Sequence, residues 1–349
     1  MAGVARRAVL WAGLGLLLGV LGTSAAAQTA GSKTIVLHGA GATFPAPLYK
    51  KWIGVFMSQN PDVSIDYQEV GSGEGVRRFL AQSIDFGASD GALTDEQMTK
   101  VAGARLVPAT AGMVVLAYNL PGLGGDLKLS REVYVDIFLR RIQKWNDPRI
   151  QALNPGLMLP NLSIVIAARK DSSGTTFALT NHLSAINSAW RDGPGAAFVV
   201  DWSGRAMLAR GNEGVAGLVK NSEGALGYVE YGFADRLRLP MARLQNRAGE
   251  YVAPNSRSGQ TTLASNVRSM PENLRLYLPD PEGAESYPIL SLTWLLLYER
   301  YPDQQKGAAL KRFVTWGLTG GQSFSADLGY IALPPEVAAL SRAALERIQ

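Results

Sequence analysis

The stretch 162–186, LSIVIAARKDSSGTTFALTNHLSAI, shows in one place how the chain is built. Its first seven residues form an apolar run suited to a buried strand, and a polar turn that contains a glycine follows at 169–176. Phe177, Leu183 and Ile186 then continue the segment as a helix. A strand, a turn and a helix in this order predict an α/β protein in which helices cover sheets.

Two earlier segments repeat this order. Gly39-Ala-Gly-Ala-Thr-Phe-Pro follows a strand predicted at 34–38, and Gly71-Ser-Gly-Glu-Gly-Val follows one predicted at 63–68. Such turns leave backbone N–H groups unpaired at a helix N-terminus, where the helix dipole also favours negative charge. One turn of this kind usually only caps its helix. Three of them, with Arg169 in the third, predict an anion site, because a guanidinium can meet two oxyanion oxygens at once.

Further elements are predicted along the rest of the chain. Thr94-Asp-Glu-Gln is a capping box that opens a helix, and Ser130 caps another. Strands are predicted at 84–87, 113–118, 162–168, 225–231 and 290–298, and helices around 48–56, 76–82, 313–316 and 337–348. Glycine and proline mark many loops, but no long linker separates two halves. If there are two lobes, the chain therefore crosses between them more than once.

The N-terminus predicts a signal peptide at 1–27. Arg6-Arg7 supplies a short positive region, the uncharged apolar stretch 8–22 follows, and small residues up to Ala27 form a cleavage site that leaves Gln28 first. The alternative is a membrane anchor, which the short apolar stretch disfavours. The arginine pair is a weak match to a twin-arginine export signal, so Sec and Tat export both stay open.

Composition narrows the compartment and the partners. The chain contains no cysteine, which excludes disulfides, a thiolate metal site and a lipid-anchored cysteine, so a free periplasmic protein is expected. Its formal charge is +5, or +3 once the two arginines of the signal are removed, which suits an anionic ligand without requiring one. No basic run is interleaved with aromatic residues, which argues against a nucleic-acid partner.

Longer motifs resemble one family. Gly39-Ala-Gly-Ala-Thr-Phe-Pro-Ala-Pro-Leu-Tyr and Ile84-Asp-Phe-Gly-Ala-Ser-Asp resemble signatures of the periplasmic phosphate-binding protein of the phosphate ABC importer, the PstS family. Four more motifs match in the family's order: Lys144-Trp-Asn-Asp-Pro, Leu153-Asn-Pro-Gly-Leu, Ser173-Gly-Thr and Gly224-Ala-Leu-Gly-Tyr-Val-Glu-Tyr. The resemblance covers essentially the whole chain that follows the predicted signal peptide.

The resemblance implies a type II periplasmic-binding-protein fold. In that fold two α/β lobes, each a helix-covered sheet, are joined by crossover strands and clamp the ligand between them. The first lobe is expected at 28–112 plus 288–349 and the second at 113–287. The resemblance also implies reversible binding of inorganic phosphate, delivery to the transmembrane permease of an ABC importer, no catalysis and no cofactor. A monomer is expected.

The family's phosphate ligands fall on residues of the expected type: Thr43, Phe44, Ser72, Asp90, Arg169, Ser173, Gly174 and Thr175. Phe44 and Gly174 would act through backbone N–H groups, and the Ser and Thr residues through their hydroxyls. Asp171 resembles the acidic partner that holds the arginine in position. The second loop departs from the family, because it reads Gly71-Ser-Gly-Glu-Gly where a second Ser and a Gly are more frequent. Glu74 therefore brings a carboxylate near the expected anion.

Asp90 is the most informative of these residues. A carboxylate repels a bound anion unless the anion still carries a proton to donate, as phosphate does near neutral pH and sulfate does not. An acceptor-only aspartate therefore admits phosphate and penalises sulfate. Arsenate also keeps a proton and should enter. Without the resemblance, Asp90 in Ser-Asp-Gly would be interpreted as a helix cap.

Other functions are weighed by the residues they need. His38 and His182 lack carboxylates at ligand spacing, so structural roles are expected and no metal site is predicted. No G-x-S-x-G elbow and no G-x-x-x-x-G-K-[ST] loop occurs. The alternatives that stay open are a phosphatase-like enzyme on the same fold, a binder of another tetrahedral oxyanion such as arsenate, and a protein that binds a partner for sensing or adhesion.

Overall fold

The computed structural model describes residues 34–202, 206–267 and 270–349. The predicted signal peptide at 1–27 lies outside them. Within these three ranges, every helix is too short or too polar to cross a bilayer.

Strands and helices alternate along the described residues, as the sequence predicts. The strands are β1 (Ile35–Gly41), β2 (Val63–Glu69), β3 (Phe86–Ser89), β4 (Ala104–Tyr118), β5 (Lys128–Leu129), β6 (Val165–Arg169), β7 (Ala206–Ala209), β8 (Ala225–Glu230), β9 (Arg243–Gln245), β10 (Tyr251–Val252) and β11 (Leu290–Tyr298). The α-helices are α1 (Ala46–Gln59), α2 (Ser72–Leu80), α3 (Asp95–Lys100), α4 (Arg131–Phe138), α5 (Pro148–Leu153), α6 (Gly174–Ile186), α7 (Ser188–Asp192), α8 (Gly211–Asn221), α9 (Tyr231–Arg236), α10 (Ser256–Asn266), α11 (Gln304–Gly317) and α12 (Pro335–Leu345). Two 3₁₀ helices lie at Gly320–Phe324 and Ala326–Leu328.

One long strand joins the two lobes of the fold. The main sheet has the order β2-β1-β3-β11-β4-β8-β6-β7, and a small sheet has the order β10-β9-β5. The first part of β4, Ala104–Met113, pairs with β11, whereas its last five residues, Val114–Tyr118, pair with β8. β4 thus carries the chain from one group of strands into the other, and the two groups with their helices form the two lobes.

Parallel pairing sets the positions of the turns that follow the strands. β1 is parallel to β2 and β3, and β6 is parallel to β7 and β8. The carboxyl ends of parallel strands meet at one edge of a sheet, and this edge is where open α/β sheets usually bind ligands. The polar turns after β1, β2, β3 and β6 therefore come together within each lobe.

The cores of the lobes are built on large aromatic residues. Four tryptophans are at most 1% exposed to solvent: Trp52, Trp145, Trp190 and Trp294. Their indole N–H groups have internal partners, as in the bonds from Trp52 to the carbonyl of Gly321 and from Trp294 to that of Leu274, both 2.7 Å. Satisfied N–H groups allow these large rings to be buried without the penalty of an unpaired donor.

Several predicted boundaries were wrong, and the strand predicted at 162–168 spans Val165–Arg169. β4 begins at Ala104 rather than at Met113. The register of its pairing with β11 shifts at Pro108, and this shift allows a proline inside a central strand. α2 begins at Ser72 rather than near Val76, directly after Gly71, whose φ of +93° ends the extended backbone. The predicted strand at 84–87 instead spans Phe86–Ser89. The capping box at Thr94 and the cap at Ser130 are confirmed.

Truncating a side chain in the central strand should weaken the fold. Leu296 on β11 is fully buried, so Leu296→Ala is expected to lower the free energy of unfolding by about 2–5 kcal/mol through lost burial and a cavity. Leu340→Ala on α12 is the matched control, since that leucine is 44% exposed and should change stability by less than about 1 kcal/mol. Urea denaturation followed by circular dichroism measures both. Equal losses would show that β11 is not the packed centre of the sheet.

Candidate functional site

The predicted site residues of the two lobes lie against one another. A Cβ placed on Gly174, at the start of α6, would be 2.4 Å from Ser72 Oγ and 2.5 Å from Asp90 Oδ2. Contacts this short leave no room for a side chain, so only glycine fits where α6 meets these two residues. The turns after β2, β3 and β6 therefore converge on one place.

All predicted ligands are buried around this place. The eight residues are all buried: Thr43, Phe44, Ser72, Asp90, Arg169, Ser173, Gly174 and Thr175. Polar side chains are rarely buried in such number without partners, because an unpaired buried polar atom is costly. Their hydrogen bonds to one another and to neighbours describe the site.

Asp90 is held by hydroxyl groups. Its Oδ1 accepts from Thr293 Oγ1 at 2.8 Å, and its Oδ2 accepts from Ser72 Oγ at 3.3 Å. The backbone N–H of Asp90 donates to the same Ser72 oxygen at 3.2 Å. Burial raises the pKa of Asp90 to about 7, while the bond from Thr293, the charge of Arg169 and the bond from Ser72 act to lower it. The carboxyl group therefore changes its charge near neutral pH, at the centre of the site.

Arg169 is fixed by Asp171. Two guanidinium nitrogens, Nε and Nη2, donate to the two carboxylate oxygens of Asp171, with Nε to Oδ1 at 2.8 Å. Burial would raise the pKa of Asp171, but the hydrogen bonds and charge of Arg169 outweigh it and leave the pKa below its usual value. The remaining terminal nitrogen, Nη1, lies 3.3 Å from Thr175 Oγ1. This fork leaves one edge of the guanidinium directed at the site.

Ser173 caps the helix that presents Gly174 and Thr175. Its Oγ accepts from the backbone N–H of Thr176 at 3.0 Å, which fixes the first turn of α6. A hydroxyl that accepts in this way still has its proton to donate. The first turn of α6 therefore offers hydroxyl and backbone donors beside Arg169.

The donor set suits a small oxyanion. It consists of neutral hydroxyls, backbone N–H groups at helix starts, one guanidinium and one carboxyl that can accept a proton. Imidazole is absent from it, because His182 is buried against Tyr134 and the carbonyl of Pro279, and His38 is exposed on β1. In the described ranges, His, Asp and Glu side chains form no cluster of three that could hold a metal ion.

Comparison with known proteins supplies the family. The sequence model of the PBP superfamily domain matches residues 23–319. The phosphate-binding protein PstS of Pasteurella multocida is 38% identical over 92% of this chain and 92% of its own length. The chain belongs to the PstS family. The PstS protein of Haemophilus influenzae is 36% identical over 86% of this chain and 90% of its own length.

A solved structure shares the PstS fold. The phosphate-binding protein from Stenotrophomonas maltophilia superposes with a TM-score of 0.71 at 22% identity and covers 88% of this chain and 93% of its own. At that identity the likeness establishes the fold alone. It confirms the α/β architecture with two lobes that the resemblance to the family implies.

Glu74 departs from the PstS pattern but is paired outside the ligand set. It lies in the first turn of α2 and accepts hydrogen bonds at 2.7 Å from Arg77 and Arg78 in the last turn, and Arg78 also donates to Gln68. The bonds and charges of the two arginines lower the pKa of Glu74 to about 2. Its negative charge is therefore compensated locally, which removes the objection that it would repel an anion.

Asn212 is a further residue of the site that is not among the predicted ligands. This residue is fully buried at the start of α8, and its Nδ2 donates to Thr43 Oγ1 and to Thr175 Oγ1, both at 3.0 Å. Its Oδ1 accepts from the backbone N–H of Glu230 at 3.0 Å. A strand, then Arg210-Gly-Asn-Glu-Gly, then a helix repeats the order of the other three turns, so the signal was present. Asn212 thus joins a predicted ligand of one lobe to a predicted ligand of the other.

The raised pKa of Asp90 predicts a pH-dependent stability. In the folded, anion-free protein the carboxyl keeps its proton from its ordinary pKa of 3.8 up to about 7, so the wild-type protein loses stability as pH rises through this window. Asp90→Asn keeps the shape and does not titrate. It should therefore stabilise the protein by a few kcal/mol more at pH 8 than at pH 5, as measured by urea denaturation in buffers free of phosphate. An equal effect at both pH values would contradict the raised pKa.

Proposed function

We propose that this protein binds inorganic phosphate reversibly in the periplasm and delivers it to the permease of an ABC importer. The names of its relatives support this, since the PstS proteins of Pasteurella multocida and Haemophilus influenzae are both called phosphate-binding proteins. In this proposal the protein is exported by its signal peptide, is not lipid-anchored, acts as a monomer and performs no chemistry on its ligand.

One observation carries the proposal: a buried carboxyl group, that of Asp90, lies among donors that suit an anion. Arg169, the hydroxyls of Ser72 and Thr175, and the start of α6 all face this region. A buried carboxylate in such a place is costly unless the ligand gives it a hydrogen bond. A protonated tetrahedral oxyanion supplies that hydrogen and accepts from every other group.

The roles proposed for the remaining residues follow from their atoms. The hydroxyls of Thr43, Ser72, Ser173 and Thr175 donate to phosphate oxygens, as do the backbone N–H groups of Phe44 and Gly174. Arg169, held by Asp171, provides the charged donor. These groups come from both lobes, for which we retain the boundaries 28–112 plus 288–349 and 113–287. The change of pairing partner in β4 after Met113 supports the first crossing. Binding would then pull the lobes together by hinge closure.

The selectivity of the site should depend on the charge of Asp90. Sulfate has no proton to donate, so it leaves the carboxylate unpaired and repelled, and a site built around a required hydrogen bond discriminates by roughly 10⁴. Asp90→Asn replaces the acceptor with an amide that donates. The variant should lose most of this penalty against sulfate, whereas phosphate and arsenate both bind the wild-type protein, as measured by titration calorimetry at pH 8.

Asp62→Asn is the matched control for that experiment. It removes a carboxylate that is 41% exposed and pairs with Arg312 at the surface, so selectivity should not change. Unchanged selectivity in Asp90→Asn would contradict the role given to Asp90. Turnover of p-nitrophenyl phosphate by the purified wild-type protein would instead favour the phosphatase-like alternative.

Asn212 is expected to position the two hydroxyls that it joins. Asn212→Ala removes the donor shared by Thr43 and Thr175, and the loss of two hydrogen bonds corresponds to about 10–100-fold weaker phosphate binding. Asn221→Ala, an exposed asparagine at the end of the same helix, is the control and should keep the wild-type Kd. Titration calorimetry gives the affinities, and thermal denaturation without phosphate checks that both variants fold. Wild-type affinity in a folded Asn212→Ala would rule out the positioning role.

A further inference from the structure

We propose that Gly73 and Ser172 form a latch between the lobes. Here the latch means the contact in which the side chain of Ser172 occupies the space beside Gly73 that a side chain at position 73 would fill. Neither residue is among the phosphate ligands. The latch decides whether the loop that carries Arg169 and Ser173 can close onto the start of α2, and this inference rests on the proposed function.

The two residues touch through backbone and side chain. The backbone N–H of Gly73 donates to the carbonyl of Ser172 at 3.1 Å. A Cβ placed on Gly73 would lie 1.9 Å from Ser172 Oγ and 2.5 Å from Ser172 Cβ. Separations of this size are far inside van der Waals contact, so this arrangement of the two loops leaves no room for a side chain at position 73.

The neighbouring glycine extends the same surface. Gly71 has a φ of +93°, and a Cβ there would lie 2.6 Å from Asp171 Oδ2 and 2.8 Å from the carbonyl of Ser172. The backbone at 71–73 therefore packs directly against Asp171, which holds Arg169, and against Ser172, which lies just before α6. When the lobes close, the loop at 171–172 therefore contacts the backbone of the glycine-containing loop at 71–73 directly.

The physical role of the latch is confined to closure. Residues 71–73 belong to one lobe and residues 171–173 to the other, so their contact forms when the lobes come together. A methyl group at position 73 would clash with Ser172 in the arrangement seen here, and separation of the lobes would relieve that clash. It lies in the first turns of α2, where alanine is a better helix former than glycine. A substitution at position 73 should thus weaken binding without weakening the fold.

The latch also explains why the second loop carries glycine at position 73. In this chain the second loop has Gly73 directly beside the side chain of Ser172. A side chain at 73 and the side chain of Ser172 are mutually exclusive in the closed form. One of the two positions must be small.

The experiment compares glycine-to-alanine changes in three helices. Because overpacking is destabilising, Gly73→Ala should bind phosphate about 10–100-fold more weakly than the wild-type protein. Gly54→Ala in α1 and Gly217→Ala in α8 are controls, because nothing lies within 4 Å of a Cβ at either position. Both should keep the wild-type Kd, and thermal denaturation without phosphate should show no loss of stability in any of the three.

A size exchange tests the mechanism. Ser172→Gly removes both atoms that the new methyl group would meet and leaves the Ser172 carbonyl at 3.6 Å, an ordinary contact. The Kd of the double variant Gly73→Ala/Ser172→Gly for phosphate should therefore be within about threefold of the Kd of Ser172→Gly alone, because the methyl group at position 73 no longer clashes with a side chain at position 172. Closure can be followed by energy transfer between dyes at Gln59→Cys and Met158→Cys, since the chain has no other cysteine.

The outcomes separate the latch from the proposed function. Wild-type affinity in Gly73→Ala, or a loss that persists undiminished in the double variant, overturns the latch while phosphate binding by the wild-type protein stands. A wild-type protein that fails to bind phosphate overturns the proposed function itself. Weak binding and an absent energy-transfer change in Gly73→Ala, both restored in the double variant, establish the latch.

Discussion

The burial of the Asp90 carboxyl group governs how the rest of the site is arranged. Its two oxygens are held by Thr293 on β11 and by Ser72 at the start of α2, so its position requires β3, β11 and α2 to be packed together. β11 lies between β3 and β4 and is buried along its whole length. A polar centre of this kind is stable when the surrounding apolar strands exclude water and the neighbouring hydroxyls supply the missing hydrogen bonds.

The single guanidinium of the ligand set is balanced rather than left as a free charge. Asp171 accepts two bonds from Arg169 and a third from the backbone N–H of Gly211 at 3.1 Å. This pairing keeps the arginine side chain, only 1% exposed, in one orientation. Recognition in such a site depends on oriented dipoles and hydrogen bonds more than on net charge, which agrees with the modest charge of the whole chain.

Much of this arrangement could be predicted from the sequence, and the exceptions have physical causes. The strand–turn–helix order located three of the turns, because apolar runs, glycines and caps are local signals. The beginning of β4 could not be seen, since Pro108 is a strand breaker in isolation and is tolerated through a register shift set by β11. The turn that carries Asn212 is visible in the sequence, but the role of this residue is not, because its two partners, Thr43 and Thr175, are distant along the chain. The pairing of the Glu74 charge with Arg77 and Arg78 likewise could not be predicted, because it depends on the positions of the side chains.

The shared strand β4 has a mechanical consequence. Its ladder of hydrogen bonds to β11 gives way to a ladder to β8 between Met113 and Val114, so neither ladder has to break when the lobes change their angle. The proposed closure would therefore turn about a strand that stays hydrogen-bonded on both sides of the crossing.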